Sequence, residues 1–564
     1  MRRRPPARAL QLWCLAALLG LAATASSSCT RKEEAGYFGS LERQHPPGTL
    51  FFNNGAEPQS LDPGLVYDAP GNALVRELFE GLTRYDPRTL SPEPGMAERW
   101  EVSEDGLTWT FHLRDAQWSD GRPVTATDFT YAWTRVLDPL TGAQYANMLW
   151  VIRNGEAFSR GKLRDPAQLG VRARGPKTLE VRLEYPAPWF LELTAYSPFF
   201  PLRRDVVERF GEQWTRPEHL IGNGPFVLKS WRLRYEIVLE KSETYWDAQH
   251  VKLQRAVAMA IDDSRTALRL YQTGTLDWLG SNARVPPESE PFVRARGYRD
   301  YRSALRLGTY FLWLQTERAP LDDVRVRRAL NLAVDKEAIA LRVLKAGQKP
   351  LTHLVPDELL RDSTGYVSPR GEEFDPTRAR ALLAEAGFPE GRGFPTLTYQ
   401  YNTDESHRQV AEALQSMWRE HLGITVELYN MEYKVHLDRL ASGDFLIARG
   451  GWWADYQDPS SFLEVLRPGS SQNHARWHRD AYGEALERGL RSLGQEERNR
   501  AYAEAERLAV EELPVIPLYI YSYSDFAKPW VEGLHPNNRH LHPLRAVSTG
   551  EAAARGEASG EAAR

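Results

Sequence analysis

The side chains most able to do chemistry are concentrated in one stretch, Arg449-Gly450-Gly451-Trp452-Trp453-Ala454-Asp455-Tyr456-Gln457-Asp458-Pro459. Two adjacent glycines let another backbone come close, because neither carries a Cβ. Two tryptophans follow, then a carboxylate bracketed by aromatic rings. A carboxylate in such surroundings requires a cation, since an unpaired buried charge is costly. Two partners meet that need: the internal guanidinium of Arg449, or the ammonium of a bound ligand. Residue types alone do not choose between them.

Catalytic chemistry is not written in comparable form. The chain has no phosphate-cradling Walker loop, no His-Glu-x-x-His pair and no Gly-x-Ser-x-Gly elbow. Gly222-Asn223-Gly224 runs into Pro225-Phe226 and is not a dinucleotide fingerprint. His474 and His478 would face one metal only if helical, and their polar neighbours favour a solvated surface pair. His535, His540 and His542 lie in a Pro/Asn-rich loop where a metal is the less favoured reading. Asp262-Asp263 and Asp322-Asp323 sit in polar turns and read as helix caps rather than a general acid/base couple. The expectation is a protein without catalytic residues, metal or cofactor.

The elements that must position these residues are mixed. Leu107 to Leu113 alternates apolar and polar residues, the period of a half-buried strand. Thr178 to Leu183, Tyr235 to Glu240 and the region of Val426 and Leu428 repeat the pattern, and Phe445 to Ala448 is a short apolar strand. Asp375-Pro376 opens a helix with a capping carboxylate and Pro at the first helical position, and Gly387 ends it. Further helices are expected over Val324 to Leu344, His407 to His421 and Arg500 to Val510, with a strand over Pro514 to Tyr523. An α/β fold with several sheets follows.

The N-terminus reads as an address. Arg2, Arg3, Arg4 and Arg8 precede an apolar run from Leu10 to Ala23, broken only by Gln11. That run is too short for an ordinary membrane span and predicts a secretory signal peptide over residues 1–28. Small residues then lead to Cys29, which resembles a lipoprotein processing site, although Ser26 stands where that motif prefers Leu. Cys14, the only other cysteine, lies in the segment to be removed, so no intrachain disulfide is available after export. Removing the four arginines shifts the net charge from -4 to -8. An acidic chain is a poor nucleic-acid binder. Residues 29–47 read as a polar tether, and residues 549–564 as a disordered tail. With 42% hydrophobic residues, 17 Trp, 24 Tyr and 20 Phe, the body is neither disordered nor a multi-span membrane protein.

A series of ordered blocks then identifies a resemblance. They are Asn53-Asn54-Gly55, Gln59 to Pro63, Leu78 to Leu82, Ala97 to Trp100 and Trp109 to Arg114. Trp118-Ser119-Asp120-Gly121 with Pro123 to Ala126 follows, then Asn223 to Phe226, Asp323 to Arg327, and Trp453-Ala454-Asp455-Tyr456. From about Leu50 to Pro543 the chain resembles the oligopeptide-binding proteins of bacterial ABC importers. The resemblance implies a two-lobed clamshell with an extra domain. Residues 48–79, 205–306 and 521–548 would build lobe I, residues 80–204 the extra domain, and residues 307–520 lobe II.

It further implies a non-catalytic receptor at the periplasm or cell envelope, its partners being short peptides, an importer's permease and ATPase subunits, and the membrane through Cys29. No nucleic acid is expected, and a monomer is. Asp455 matches the carboxylate that holds a peptide ammonium. Arg449 and Tyr145 match cleft residues, and Gly451, Trp452 and Trp453 match the backbone that pairs with the ligand. Ala69 with Tyr67 matches the opposing segment, and His407 a residue near a longer peptide's carboxylate. Trp453 and Gly308 stand where some relatives carry a disulfide. Leu440 replaces an Arg able to meet the ligand C-terminus, with Arg439 one place away, and Tyr67 replaces an acid. Dipeptides, cell-wall peptides, nickel complexes, haem and sugars are the ligands of related receptors. A secreted hydrolase is the alternative from another class.

Overall fold

The computed structural model describes residues 36–470 and 472–550. The signal peptide, Cys29 and most of the expected tail lie outside the described residues.

Three sheets carry the architecture. In the first, strand Thr49–Asn53 lies parallel to Arg255–Met259, which pairs antiparallel with Glu236–Lys241, itself antiparallel to Phe226–Arg232. Its first two strands are neighbours in space and about 200 residues apart in the chain, so this body is assembled from separated segments. The second sheet is wholly antiparallel, in the order Ala97–Val102, Thr108–Leu113, Thr178–Arg182, Val171–Ala173. The third has six strands, ordered Lys349–Pro350, Val515–Phe526, Tyr301–Leu314, Ile447–Trp453, Leu397–Asn402, Val426–Met431.

Two long strands of the third sheet cross between apolar cores. At one end of the ribbon, Tyr301 pairs with Phe526, and Phe526 packs with Ala267, Tyr271 and Val293. At the other end Tyr310, Leu312, Ile516 and Leu518 belong to a core shared with Leu330, Leu414 and Trp418. Between these ends the pairing slips, from Leu305↔Ser522 to Thr309↔Ile520. The lobe boundaries expected after Arg306 and Ile520 therefore fall inside two continuous strands, at this irregularity.

Capping follows the sequence closely. Asp375 accepts hydrogen bonds from the backbone N–H groups of Thr377 and Arg378, opening helix Pro376–Glu385. Asp323 and Asp263 cap their helices through Arg325 N–H and Thr266 N–H. Asp404 caps helix Glu405–Leu422, which ends at Gly423 with φ +68°.

Four expectations need correction. The single helix over Val324 to Leu344 is two segments, Val324–Leu332 and Ala338–Leu344. Asp335 interrupts it by accepting from Ala338 N–H, a side-chain cap that competes with helix continuation. The short strand at Phe445 to Ala448 instead runs from Ile447 to Trp453, so the Gly-Gly-Trp-Trp stretch is itself a strand. The tether expected over residues 29–47 already meets the body at Phe38, whose N–H donates to Asp300 at 2.9 Å and whose ring stacks on Phe526 at 4.7 Å. Finally, Ser548–Thr549 pairs with Val531–Glu532, so Thr549 is part of the body rather than of the tail.

Candidate functional site

Strand Ile447–Trp453 sets the site. On one side it pairs along its length with Tyr301–Leu314, from Leu314↔Ile447 to Gly308↔Trp453. On the other side, Leu397–Asn402 covers only Ile447 and Ala448. Ala454 N–H donates to Leu307 C=O on the paired side. Backbone groups alternate sides along an antiparallel strand, so those of Gly451 and Trp453 point to the uncovered side. Among the described residues they meet no strand there. The glycines are required by packing. A Cβ on Gly450 would lie 2.6 Å from the Phe311 ring, and one on Gly451 would strike the Tyr521 hydroxyl.

Asp455 follows this open edge by two residues. Its backbone N–H donates to Ser461 Oγ at 3.1 Å, and its C=O accepts from Arg539 Nη2 at 3.2 Å. Among the described residues its carboxylate makes no hydrogen bond or ion pair. Burial raises its pKa from 3.8 to about 6, opposed by the positive charge of Arg539. Arg449 is not its partner. The Arg449 guanidinium donates to the Tyr521 hydroxyl at 2.9 Å and lies 5.3 Å from the Tyr310 ring centre. Of the two partners open at the sequence level, the internal one is thus committed elsewhere.

Tyr67, Ala69, Tyr145, Trp453 and Asp455 line one cavity of about 350 Å³. Ala69 begins helix Ala69–Leu78, capped by Asp68. Tyr145 sits edge-on to Tyr196 at 5.9 Å, and its hydroxyl reaches Tyr67 C=O at 3.5 Å. The Tyr67 hydroxyl turns away to Gln59 at 2.9 Å. Arg449, Gly451, Trp452 and His407 do not line this cavity. His407, in the first turn of its helix, packs against Tyr310 at 5.5 Å. Burial lowers its pKa to about 3, with Arg449 adding repulsion, so the ring is neutral at physiological pH. Arg449 Nε and His407 Nδ1 are buried without hydrogen-bond partners, which marks a polar recess beside the open edge.

Two of the three sequence departures have physical reasons. The Trp453 ring covers Gly308 so closely that a Cβ there would lie 2.6 Å from it, and the ring stacks on Tyr521 at 4.1 Å. Aromatic packing occupies the position a disulfide would need. Leu440 is buried, and Arg439 pairs with Asp444 at 3.1 Å, so Arg439 supplies no charge in its place.

Residues that sequence reasoning missed complete the cavity. Arg76, Arg306 and Arg539 all line it, with Tyr85 and Tyr196. They come from distant segments, and no spacing rule joins them.

Among the described residues one histidine cluster has metal-ligand spacing. His474 and His478 lie outside any helix. His474 packs edge-on against Trp313 at 5.4 Å, and His478 contacts Asp480. Asp525, His540 and His542 cluster, but the Asp525 carboxylate already accepts from Arg302, Trp278 and His540. A guanidinium in direct contact opposes a second cation. Among the described residues no helix is long and apolar enough to cross a membrane.

Residues 91–474 match the family described as bacterial extracellular solute-binding proteins, family 5 Middle. The chain is 36% identical to the periplasmic oligopeptide-binding protein OppA of Salmonella typhimurium, over 86% of this chain and 89% of that one. It is also 36% identical to the periplasmic murein peptide-binding protein MppA of Escherichia coli, over the same shares. The structure of Haemophilus influenzae OppA in complex with RPPGFSPFR superposes with a TM-score of 0.75 at 33% identity, covering 90% of this chain and 99% of that one. The unliganded open form of MppA gives a TM-score of 0.76 at 34% identity, covering 90% and 98%.

Proposed function

Because the chain belongs to the bacterial extracellular solute-binding proteins of family 5, we propose that it captures short peptides between its two lobes and passes them to the permease of an ABC importer. One observation carries this reading. A carboxylate with no internal partner, Asp455, stands at the end of a strand edge whose backbone groups are uncovered.

A peptide laid along Gly451–Trp453 would add a strand, and backbone pairing of that kind is indifferent to side chains. Its ammonium would supply the cation that Asp455 lacks, in a charge-assisted bond. Tyr67 and Ala69 would flank it from the opposing segment, with Tyr145 beside the anchor. Arg449, beside neutral His407, would meet the carboxylate of a longer guest, with Trp452 beside it. Contacts on both lobes would favour the closed state by differential affinity.

The protein acts without catalysis in this reading, is exported by residues 1–28, and is held at the cell envelope as a monomer by a lipid on Cys29, with the importer's ATPase driving uptake. The test is calorimetry with Ala-Ala-Ala and N-acetyl-Ala-Ala-Ala. The free amine is expected to bind about a hundredfold more tightly, and equal affinities would reject the amine anchor.

A further inference from the structure

The cavity beside Asp455 holds more positive charge than the amine anchor explains. Five guanidiniums line it: Arg76, Arg84, Arg306, Arg539 and Arg545. Two are matched by acids. Arg84 pairs with Glu93 and Asp247, both at 2.9 Å, and Arg545 with Glu93 at 2.9 Å. The other three have no carboxylate partner among the described residues. Arg76 and Arg306 make no hydrogen bond or ion pair there. Arg306 lies 4.3 Å from the Trp453 ring centre, a cation–π contact that orients the group without neutralising it. Arg539 donates to the Asp455 C=O, lies 5.1 Å from the Tyr85 ring centre and feels the charge of Glu192, while its Nη1 is buried and unpartnered.

The remaining acids do not balance this trio. Glu77 spends Oε1 on Leu544 N–H at 3.1 Å and leaves Oε2 unpartnered, facing Arg76 and Arg545 only through their charge. Glu80 is engaged by Tyr245, by Trp246 at 2.7 Å and by Arg84. Burial raises the pKa of Glu77 to about 7, which halves its charge near neutrality. Burial and the charge of Arg539 together lower Arg306 to about 10. Once a ligand ammonium neutralises Asp455, the cavity retains three guanidiniums against a half-charged Glu77. Desolvating like charges together without a counterion is costly, and a guanidinium fork suits a carboxylate.

Building on the peptide reading above, we propose that Arg76, Arg306 and Arg539 form an anion-accepting subsite within one residue of the amine anchor, so that the preferred guest carries a carboxylate next to its ammonium. Arg306 packs on Trp453, two positions before Asp455, which places its charge within reach of the first ligand residue. The favoured guest is therefore a peptide with an acidic first side chain. The same chemistry is offered by the terminal carboxylate of a dipeptide, and the two sources are separable.

Protein freed of endogenous ligand by unfolding and refolding is titrated calorimetrically with Glu-Ala-Ala against Gln-Ala-Ala, and with Ala-Ala against Ala-Ala-amide. Glu-Ala-Ala is expected to bind about tenfold more tightly than Gln-Ala-Ala. R306Q and R76Q should bring that ratio toward one, and R306K, which keeps the charge, should retain most of it. A tenfold preference confined to Ala-Ala over its amide would also support the subsite and assign it to a dipeptide terminus. No preference in either pair, with amine-dependent binding intact, overturns the subsite and spares the anchor. Binding insensitive to N-acetylation, or no peptide binding, overturns the underlying reading and the subsite with it.

Discussion

Replacing Asp455 by Asn should make the empty protein more stable and the receptor worse. Asp455 titrates at about 6 in the folded chain against 3.8 for the free side chain. A gap of about 2 pH units corresponds to roughly 3 kcal/mol disfavouring the ionised form, an upper limit for the stability the acid costs at neutral pH. The sign follows from the raised value. The folded state binds the proton more tightly, so wild-type stability declines as pH rises from about 4 to about 6 and stays reduced above that. Asp455→Asn lacks this penalty, so its advantage in scanning calorimetry should be full at pH 7.5 and absent near pH 4. Peptide affinity should move the opposite way, falling about a hundredfold through loss of a desolvated charge-assisted bond. Wild-type affinity should also drop about tenfold per pH unit below 6, because the proton competes with the ammonium, and D455N should show no such slope. A variant that melts earlier than wild type, or binds free-amine peptides equally well, would refute the reasoning, since both results require the carboxylate to be satisfied within the protein.

Three further outcomes are expected. Gly308→Ala places a Cβ 2.6 Å from the Trp453 ring and should cost about 1–3 kcal/mol in urea denaturation, part of which disappears in a Trp453→Ala background. Asp525→Asn leaves half-buried Arg302 without its counter-charge and buried His540 without its carboxylate partner and should destabilise by about 3–5 kcal/mol. Although burial pushes the Asp525 carboxyl up, Arg302 and His540 hold it well below the usual range, so its contribution is present above about pH 4 and is lost on further acidification, which acid titration of wild type against D525N will reveal. Lys336 is buried against Asn331 at 2.9 Å, and burial lowers its pKa to about 7. Lys336→Met should therefore stabilise at pH 7 by about 1–4 kcal/mol and remove the rise in wild-type stability between pH 7 and 10.

Local order was the legible part of the sequence. Period-two patterns located strands Thr108–Leu113 and Thr178–Arg182, and capping carboxylates located the starts of helices at Pro376 and Val324. What failed was continuation. Asp335 looks like one polar residue inside an apolar period, yet its cap divides the helix. Asp455 stood out as a candidate because its aromatic flanks are adjacent in sequence. Arg76, Arg306 and Arg539 did not, because each is an ordinary charged residue until three distant segments bring them to one wall. Likewise the fate of Arg449 depended on Tyr310 and Tyr521, which reach it only across the sheet.

The slipped ladder between Leu305 and Thr309 has a mechanical consequence. A ribbon lacking regular cross-links over a few residues is its own fulcrum, since twisting there sacrifices the fewest hydrogen bonds. Gly308 sits at this fulcrum with the Trp453 indole pressed against it, and Asp455 is two residues further on. A guest seated on the acid, as proposed, would therefore push directly on the axis about which the lobes would turn. Occupancy and rotation would then share the same handful of atoms, with no long relay needed to report one to the other.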